Sequence, residues 1–207
     1  KKDKLGIDDL VSFGAFSEEM AAYLQAAGSD DLLLPELRRI VGTFGAAASI
    51  AVLYGTDILY VAHYSEERSR RIVASVGTYY PAHATSLGKV LLAALTEDQF
   101  EAYLGRAELR PLTDCTINNA DDLKRIIGEC RKNGYATSVD ELDYGITSLA
   151  VPIRNAQGRV LAAINCSGYS GRVTADRLVA EQELAQPLLP VPRRCCRSRR
   201  SACRPPW

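Results

Sequence analysis

The chain has 207 residues, 47% of them hydrophobic and 24% charged, the balance of a soluble globular chain with room for one substantial core or two small ones. No apolar run approaches the ~20 residues of a membrane-spanning helix, and the N-terminus KKDKLGIDDL lacks the apolar stretch of a signal peptide, so no membrane partner and a cytoplasmic location are expected. Net charge is zero, but the six Arg between Pro190 and Trp207 meet no acid there, leaving 19 basic against 25 acidic residues elsewhere, a poor grip on a phosphate backbone.

In chain order, residues 1–28 read as a helix with Leu10, Phe13, Phe16, Met20, Tyr23 and Leu24 in one apolar stripe, stopped by Gly28. Ser29 or Asp30 can cap a second helix over about 31–44, with Leu33, Leu37, Ile40, Val41 and Phe44 on one face and Pro35 in its first turn. Ala47–Leu53 and Ile58–Tyr64, joined through Tyr54-Gly55-Thr56-Asp57, read as a hairpin. Arg71–Val76 is the expected third strand, and Pro81 breaks the pattern. Ser86–Leu95 is a short apolar helix. Thr96-Glu97-Asp98-Gln99 has the form of a capping box opening a helix to about Leu104.

Residues 105–118 are irregular. Asn119–Asn133 is an amphipathic helix with Leu123, Ile126, Ile127 and Cys130 inward and Gly134 at its C-terminal cap. Tyr135–Val139, Ile146–Ile153 and Val160–Ser167 are three more strands, the last two joined by the turn Asn155-Ala156-Gln157-Gly158. Val173-Thr174-Ala175-Asp176 opens a final helix to about Leu184. The fold class is therefore α+β, a mainly antiparallel sheet with helices packed on it. From 187 the segment rich in Arg, Cys and Pro has no periodicity. It reads as a frameshifted or non-native translation of GC-rich DNA, with a disordered basic nucleic-acid-binding tail as the rival. Cys115, Cys130 and Cys166 lack metal-site spacing and read as free buried thiols.

The stretch PAHATSLGKVLLAAL, residues 81–95, carries the motifs that could hold chemistry. Ser86 and Lys89 form a Ser-x-x-Lys tetrad on one helical face, but the S-D-N and K-T-G companions of the penicillin-recognising enzymes are missing. The Gly88-Lys89 pair fails as a phosphate loop, because His83 stands where the first glycine belongs and Val90 follows the lysine. His63 and His83 have no partner at metal-helix spacing and read as structural. No catalytic residue, metal ligand or cofactor is expected. What survives is a helix start capped by Thr85 or Ser86, whose free N–H groups favour an anion; a self-capped core helix without a ligand is the alternative.

VGTYYPAHATSLGKVLLAAL resembles the central signature of the effector-binding domain of isocitrate-lyase-regulator-type (IclR) transcription factors. A second signature follows in Gly134-Tyr135-Ala136, Asp140-Glu141, Gly145-Ile146, Ser148-Leu149-Ala150-Val151-Pro152, Gly158 and Ser167-Gly168 ahead of Arg172-Val173-Thr174. The resemblance covers about residues 10–186. It implies a GAF-like effector-binding domain over 29–186 behind a linker or interface helix over 1–28. The winged helix-turn-helix through which such regulators meet operator DNA is absent from this chain. It further implies a homodimer or homotetramer, a small organic acid as effector and no enzymatic activity. A GAF-type sensory domain with another output is the alternative.

Carried over by position, the resemblance places Ser86, Leu87, Ser138, Ser148, Asn165 and Ser167 at the ligand. Apolar walls are expected from Leu87, Leu149 and Val151. Tyr79, Tyr80 and Tyr144 are open to either a ligand-facing or a packing role. For each serine alone, an ordinary core hydroxyl is an equal reading. Asn165 and Ser167, two apart, face one side of their strand.

Overall fold

The computed structural model describes residues 29–44, 47–66, 75–155 and 157–185. The expected helix over 1–28, the first four residues of the expected strand Arg71–Val76 and the segment from 187 lie outside these.

Helix α1 spans Ser29–Phe44. It begins two residues before the point its apolar spacing marks, so Pro35 sits inside it and not in its first turn. Proline has no N–H, so one intrahelical bond is lost at that point. Strands β1 (Ala47–Tyr54) and β2 (Asp57–Ser65) form the expected hairpin, with a bulge in register at Ile50/Ala51. Of the expected third strand Arg71–Val76, only Ser75 and Val76 are described. Strand β3 is Tyr79–Pro81, three residues paired to the start of β2, while Ser75 and Val76 precede it in a turn. Proline ends this strand without breaking the sheet because β3 is an edge among the described strands, where a missing N–H costs no ladder bond.

A single 3-10 turn, Ala82–Ala84, leads into α2 (Ser86–Ala93), α3 (Glu97–Leu104) and α4 (Ala120–Asn133). The capping box on α3 is complete, with Thr96 and Gln99 bonding reciprocally. Asn119 caps α4, and Gly134 closes it at φ 78°, a left-handed conformation that glycine adopts without steric cost. Strands β4 (Ala136–Val139), β5 (Ile146–Arg154) and β6 (Val160–Tyr169) complete the sheet, and α5 (Ala175–Ala185) follows.

The six strands form one sheet in the order β3-β2-β1-β6-β5-β4, with every neighbouring pair antiparallel. This is the expected α+β, GAF-like arrangement. One face is covered by α2, α3 and α4, with Leu87, Leu92, Phe100, Tyr103, Leu123 and Ile127 buried against Ala51, Ala136, Ala150 and Ala163 of the strands. The small residues on the strands let α2 lie close over the sheet. The other face packs Leu37 and Val41 of α1 on Ile50, Val52, Leu59 and Val61, and Leu178 of α5 on Leu149 and Cys166.

Candidate functional site

Helix α2 lies across β4, β5, β6 and β1, and its first residue meets β5 through Ser148. Thr85 is its N-cap, and the threonine side chain accepts from the Gly88 N–H at 3.0 Å. The Lys89 N–H bonds the Thr85 carbonyl at 3.0 Å. The N–H groups of Ser86 and Leu87 lie ahead of the first intrahelical bond and are the donors such a helix leaves over. Gly88 is required by packing. A Cβ there would stand 2.1 Å from the Ala82 carbonyl oxygen and 2.4 Å from the Ala82 Cα. The glycine of the Gly-Lys pair thus lets the 3-10 turn lie flat against α2.

Register brings the predicted polar residues onto one face. Ser138 of β4 stands opposite Ser148 of β5, which stands opposite Ser167 of β6. One step along, Ala150 pairs with Asn165, and Asn165 with Ser49 of β1. Partners across an antiparallel ladder point the same way, so these side chains share the face under α2. The Ser86 and Ser148 hydroxyls meet at 2.8 Å, tying the helix start to the strand. Ser138 donates to the Ala84 carbonyl at 3.3 Å, and Asn165 Oδ1 accepts from the Ser49 N–H at 3.0 Å. Ser86, Ser138, Ser148 and Asn165 are all buried, and Ser167 is half-buried.

Leu87 is fully buried in the core beneath α2, so what it can offer a ligand is its backbone N–H. The expected walls Leu149 and Val151 lie on the opposite face. They alternate with Ser148 and Ala150 along β5 and pack in the cluster around α5. Tyr80 packs edge-on against Tyr60 in the core beneath α2. Tyr79 is exposed beside Tyr54. Tyr144 is exposed too, its hydroxyl donating to the Asp114 carboxylate at 3.0 Å and accepting from the Asp114 N–H at 3.1 Å.

Lys89 is 1% exposed. Its Nζ lies 2.5 Å from Glu141 Oε1 and donates to the Thr137 carbonyl at 3.0 Å, clamping α2 to β4 and the turn after it. Burial pushes the Lys89 amine down and the Glu141 carboxyl up, each toward its neutral form. The attraction of the pair opposes both shifts, and the nearby Ser138 hydroxyl further favours the charged carboxylate. Glu141 Oε2 has no hydrogen-bond partner among the described residues. The loop before α4 latches the same turn, with Thr113 donating to the Asp140 carbonyl and Thr116 to the Glu141 carbonyl, each at 2.6 Å. His83 Nε2 donates to the Arg110 carbonyl at 3.1 Å. Burial lowers the pKa of His83, and the bond to the Arg110 carbonyl opposes that shift.

Sequence reasoning gave no site role to Ser49, His63 or Glu141. Ser49 Oγ lies 2.9 Å from His63 Nδ1, in the same row as Asn165. Burial holds the pKa of His63 below its ordinary value. No local spacing signals these pairs, because each depends on strand register. A groove of about 300 Å³ lies at the other end of α2, lined by Val90, Ala93, Cys130, Arg131, Pro152 and Arg154 among others. It includes none of the residues above, and Arg131 there is spent on the Ala93 and Leu95 carbonyls at the end of α2.

The chemistry of this face is neutral hydrogen bonding around a helix start, with the one nearby lysine already paired. Among the described residues there is no cluster of His, Cys, Asp and Glu able to hold a metal, and no helix long and apolar enough to cross a membrane.

The family described as "Bacterial transcriptional regulator IclR C-terminal" matches residues 21–197. The Pca regulon regulatory protein of Pseudomonas putida is 40% identical over 176 residues, which are 84% of this chain and 60% of that protein. The chain thus spans about 60% of the length of the curated relatives it matches. Among solved structures, a double mutant of the Acinetobacter PobR inducer-binding domain, in complex with 3-hydroxybenzoic acid, is 30% identical. That match covers 73% of this chain and 92% of that one, with a TM-score of 0.66. The IclR protein of Thermotoga maritima is 27% identical, with 82% and 69% covered and a TM-score of 0.72.

Proposed function

The chain belongs to the IclR-type bacterial transcriptional regulators, as their C-terminal effector-binding domain, and from that premise we propose that it senses a small organic acid, aromatic acids foremost, and transmits its presence to operator DNA. The observation that carries the reading is the Ser86–Ser148 contact at 2.8 Å beneath the start of α2. It sets two hydroxyls and two leftover backbone N–H groups at one point, opposite a row of small residues. A carboxylate placed there is met by neutral donors and the positive end of the helix dipole. The inducer-binding domain from Acinetobacter, similar over most of its length, holds 3-hydroxybenzoic acid, which supports an aromatic acid as the class. The protein acts by binding and not by catalysis, since Lys89 is committed to Glu141 and does not activate Ser86.

A winged helix-turn-helix on the N-terminal side of this domain contacts the operator in a cytoplasmic homodimer or homotetramer. The acid shifts the equilibrium between two arrangements only by its differential affinity, and couplings of about 1–3 kcal/mol give roughly 5- to 150-fold changes in operator affinity. A thermal-shift screen of aromatic and aliphatic acids tests the reading. At 100 times its dissociation constant a true effector adds ~2.7 kcal/mol to stability. Ser86→Ala is expected to weaken that acid about 10-fold or more, the worth of one hydrogen bond to a charged group. An undiminished shift in Ser86→Ala refutes the placement.

A further inference from the structure

The groove at the far end of α2 differs from the face beneath its start, because its charge is all of one sign. Arg131 of α4 and Arg154 and Arg159 at the β5–β6 turn line it, and none of its lining residues is acidic. It includes neither Ser86 nor any other residue of the proposed effector site, so it stands independently of that reading.

Strand β5 explains the placement. Ser148, Ala150 and Pro152 alternate along its face under α2, and Arg154, just past the register shift after Ile153, lines the groove with Pro152. The six steps from Ser148 to Arg154 cover about 20 Å of strand, while the eight residues of α2 rise only about 12 Å. The strand outruns the helix, and Arg154 emerges exposed beyond its end. The turn is held by its own bonds. Asn155 Oδ1 accepts from the Gln157 and Arg159 N–H groups at 3.1 and 2.9 Å, and Arg154 Nη1 donates to the Gly158 carbonyl at 2.9 Å. That carbonyl is neutral, so the bond fixes the Arg154 guanidinium without cancelling its charge. Arg131 plays another part. It pairs with Glu97 and donates to the Ala93 and Leu95 carbonyls, which covers the negative end of the α2 dipole.

Two guanidinium groups at the turn, with no acid in the lining, match a group that gathers two negative charges in one place. A phosphate monoester carries about −1.5 to −2 at pH 7, and its oxygens suit the forked N–H groups of arginine. The rest of the wall is apolar, from Val90 and Ala93 of α2 to Pro152 and Val160 of the sheet. A volume of about 300 Å³ is that of a small-ligand cavity. We propose that this groove is a second ligand site, separate from the helix start, that takes a small phosphate monoester with an apolar body. Arg154 and Arg159 hold the phosphate, and the apolar wall covers the body.

Isothermal titration of the full chain with phenyl phosphate, inorganic phosphate and benzenesulfonate tests this. Phenyl phosphate is expected to bind about 5-fold or more above inorganic phosphate, which lacks the ring, and above benzenesulfonate, which has the ring and a single charge. Arg154→Gln and Arg159→Gln are each expected to weaken it about 5- to 10-fold, the low end for a bond between charged groups because both side chains are exposed. Arg154→Lys, which keeps the charge and loses the fork, is expected to fall between wild type and Arg154→Gln. An unchanged melting temperature shows that these variants fold. Lys124→Gln, which removes a cation outside the groove, is expected to bind as wild type does. Phenyl phosphate that fails to bind, binds no better than the other two anions, or is indifferent to both glutamine variants overturns the site. An equal loss in Lys124→Gln reduces the effect to general surface charge and overturns it as well. Loss of binding in Ser86→Ala with Arg154→Gln unaffected puts the phosphate at the helix start and overturns the groove.

Discussion

Replacing Lys89 by methionine removes the charge that Glu141 faces and keeps the aliphatic stem. Lys89 is 1% exposed and Glu141 8% exposed. The variant therefore leaves a carboxylate in the interior with Oε1 newly unpaired and Oε2 already without a partner. Breaking a buried pair from one side costs about 3–5 kcal/mol. At ~2–4 °C per kcal/mol for a chain of this size, the melting temperature falls by roughly 6–20 °C. Burial already raises the Glu141 pKa, and loss of Lys89 raises it further. The folded variant then binds a proton more readily than the unfolded chain. Its stability is fullest below the unfolded carboxylate pKa and declines as pH rises through the higher folded value, so the deficit is smaller in mild acid than at neutral pH. The double variant Lys89→Met/Glu141→Leu removes the orphaned charge and should recover most of the loss. Calorimetric melting at two pH values reads all of this. A single variant within about 1 kcal/mol of wild type, or a double variant no better than the single, refutes the clamp.

The fold makes two further predictions. Gly88→Ala forces a Cβ against the backbone of Ala82, and overpacking of this kind costs about 1–3 kcal/mol or more; urea unfolding should show that loss, and acid binding should fail with it because the helix start moves off the sheet. Cys115 is exposed, while Cys130 and Cys166 are buried, and burial pushes the Cys130 thiol up to about 11. Maleimide labelling of the native protein at pH 8, mapped by peptide mass, should therefore modify Cys115 well before Cys130. Equal rates would contradict the packing of α4.

Local signals in the sequence placed the helix ends well. Thr96 with Gln99, Asn119 and Gly134 each act within a few residues, and each stands where its chemistry requires. Strand β3 carries no signal in the sequence, for a physical reason. Tyr79–Pro81 is too short to carry an alternation, and its pairing with Asp57–Leu59 is set by the far end of a hairpin. Leu149 and Val151 went to the wrong face because the carried-over motif gave residues without their pleat; the alternation with Ser148 settles it. At the site, the Ser86 helix start was legible from the cap alone, whereas Ser49, His63 and Glu141 were not. Glu141 meets Lys89 across 52 residues, and Ser49 meets Asn165 across 116. Only the register of a folded sheet brings such residues together.

The strand order has a consequence for the birth of the protein. The first long strand, β1, lies beside the last, β6, in the middle of the sheet. Contacts between such distant segments form late, after the intervening chain has been closed into a loop. On the ribosome, the helix start at Ser86 emerges long before Asn165 and Ser167, so the nascent chain carries one shore of its site without the other. On the proposed reading, recognition of the acid is thus a property of the finished polypeptide, and a chain ending anywhere before β6 makes a deaf sensor.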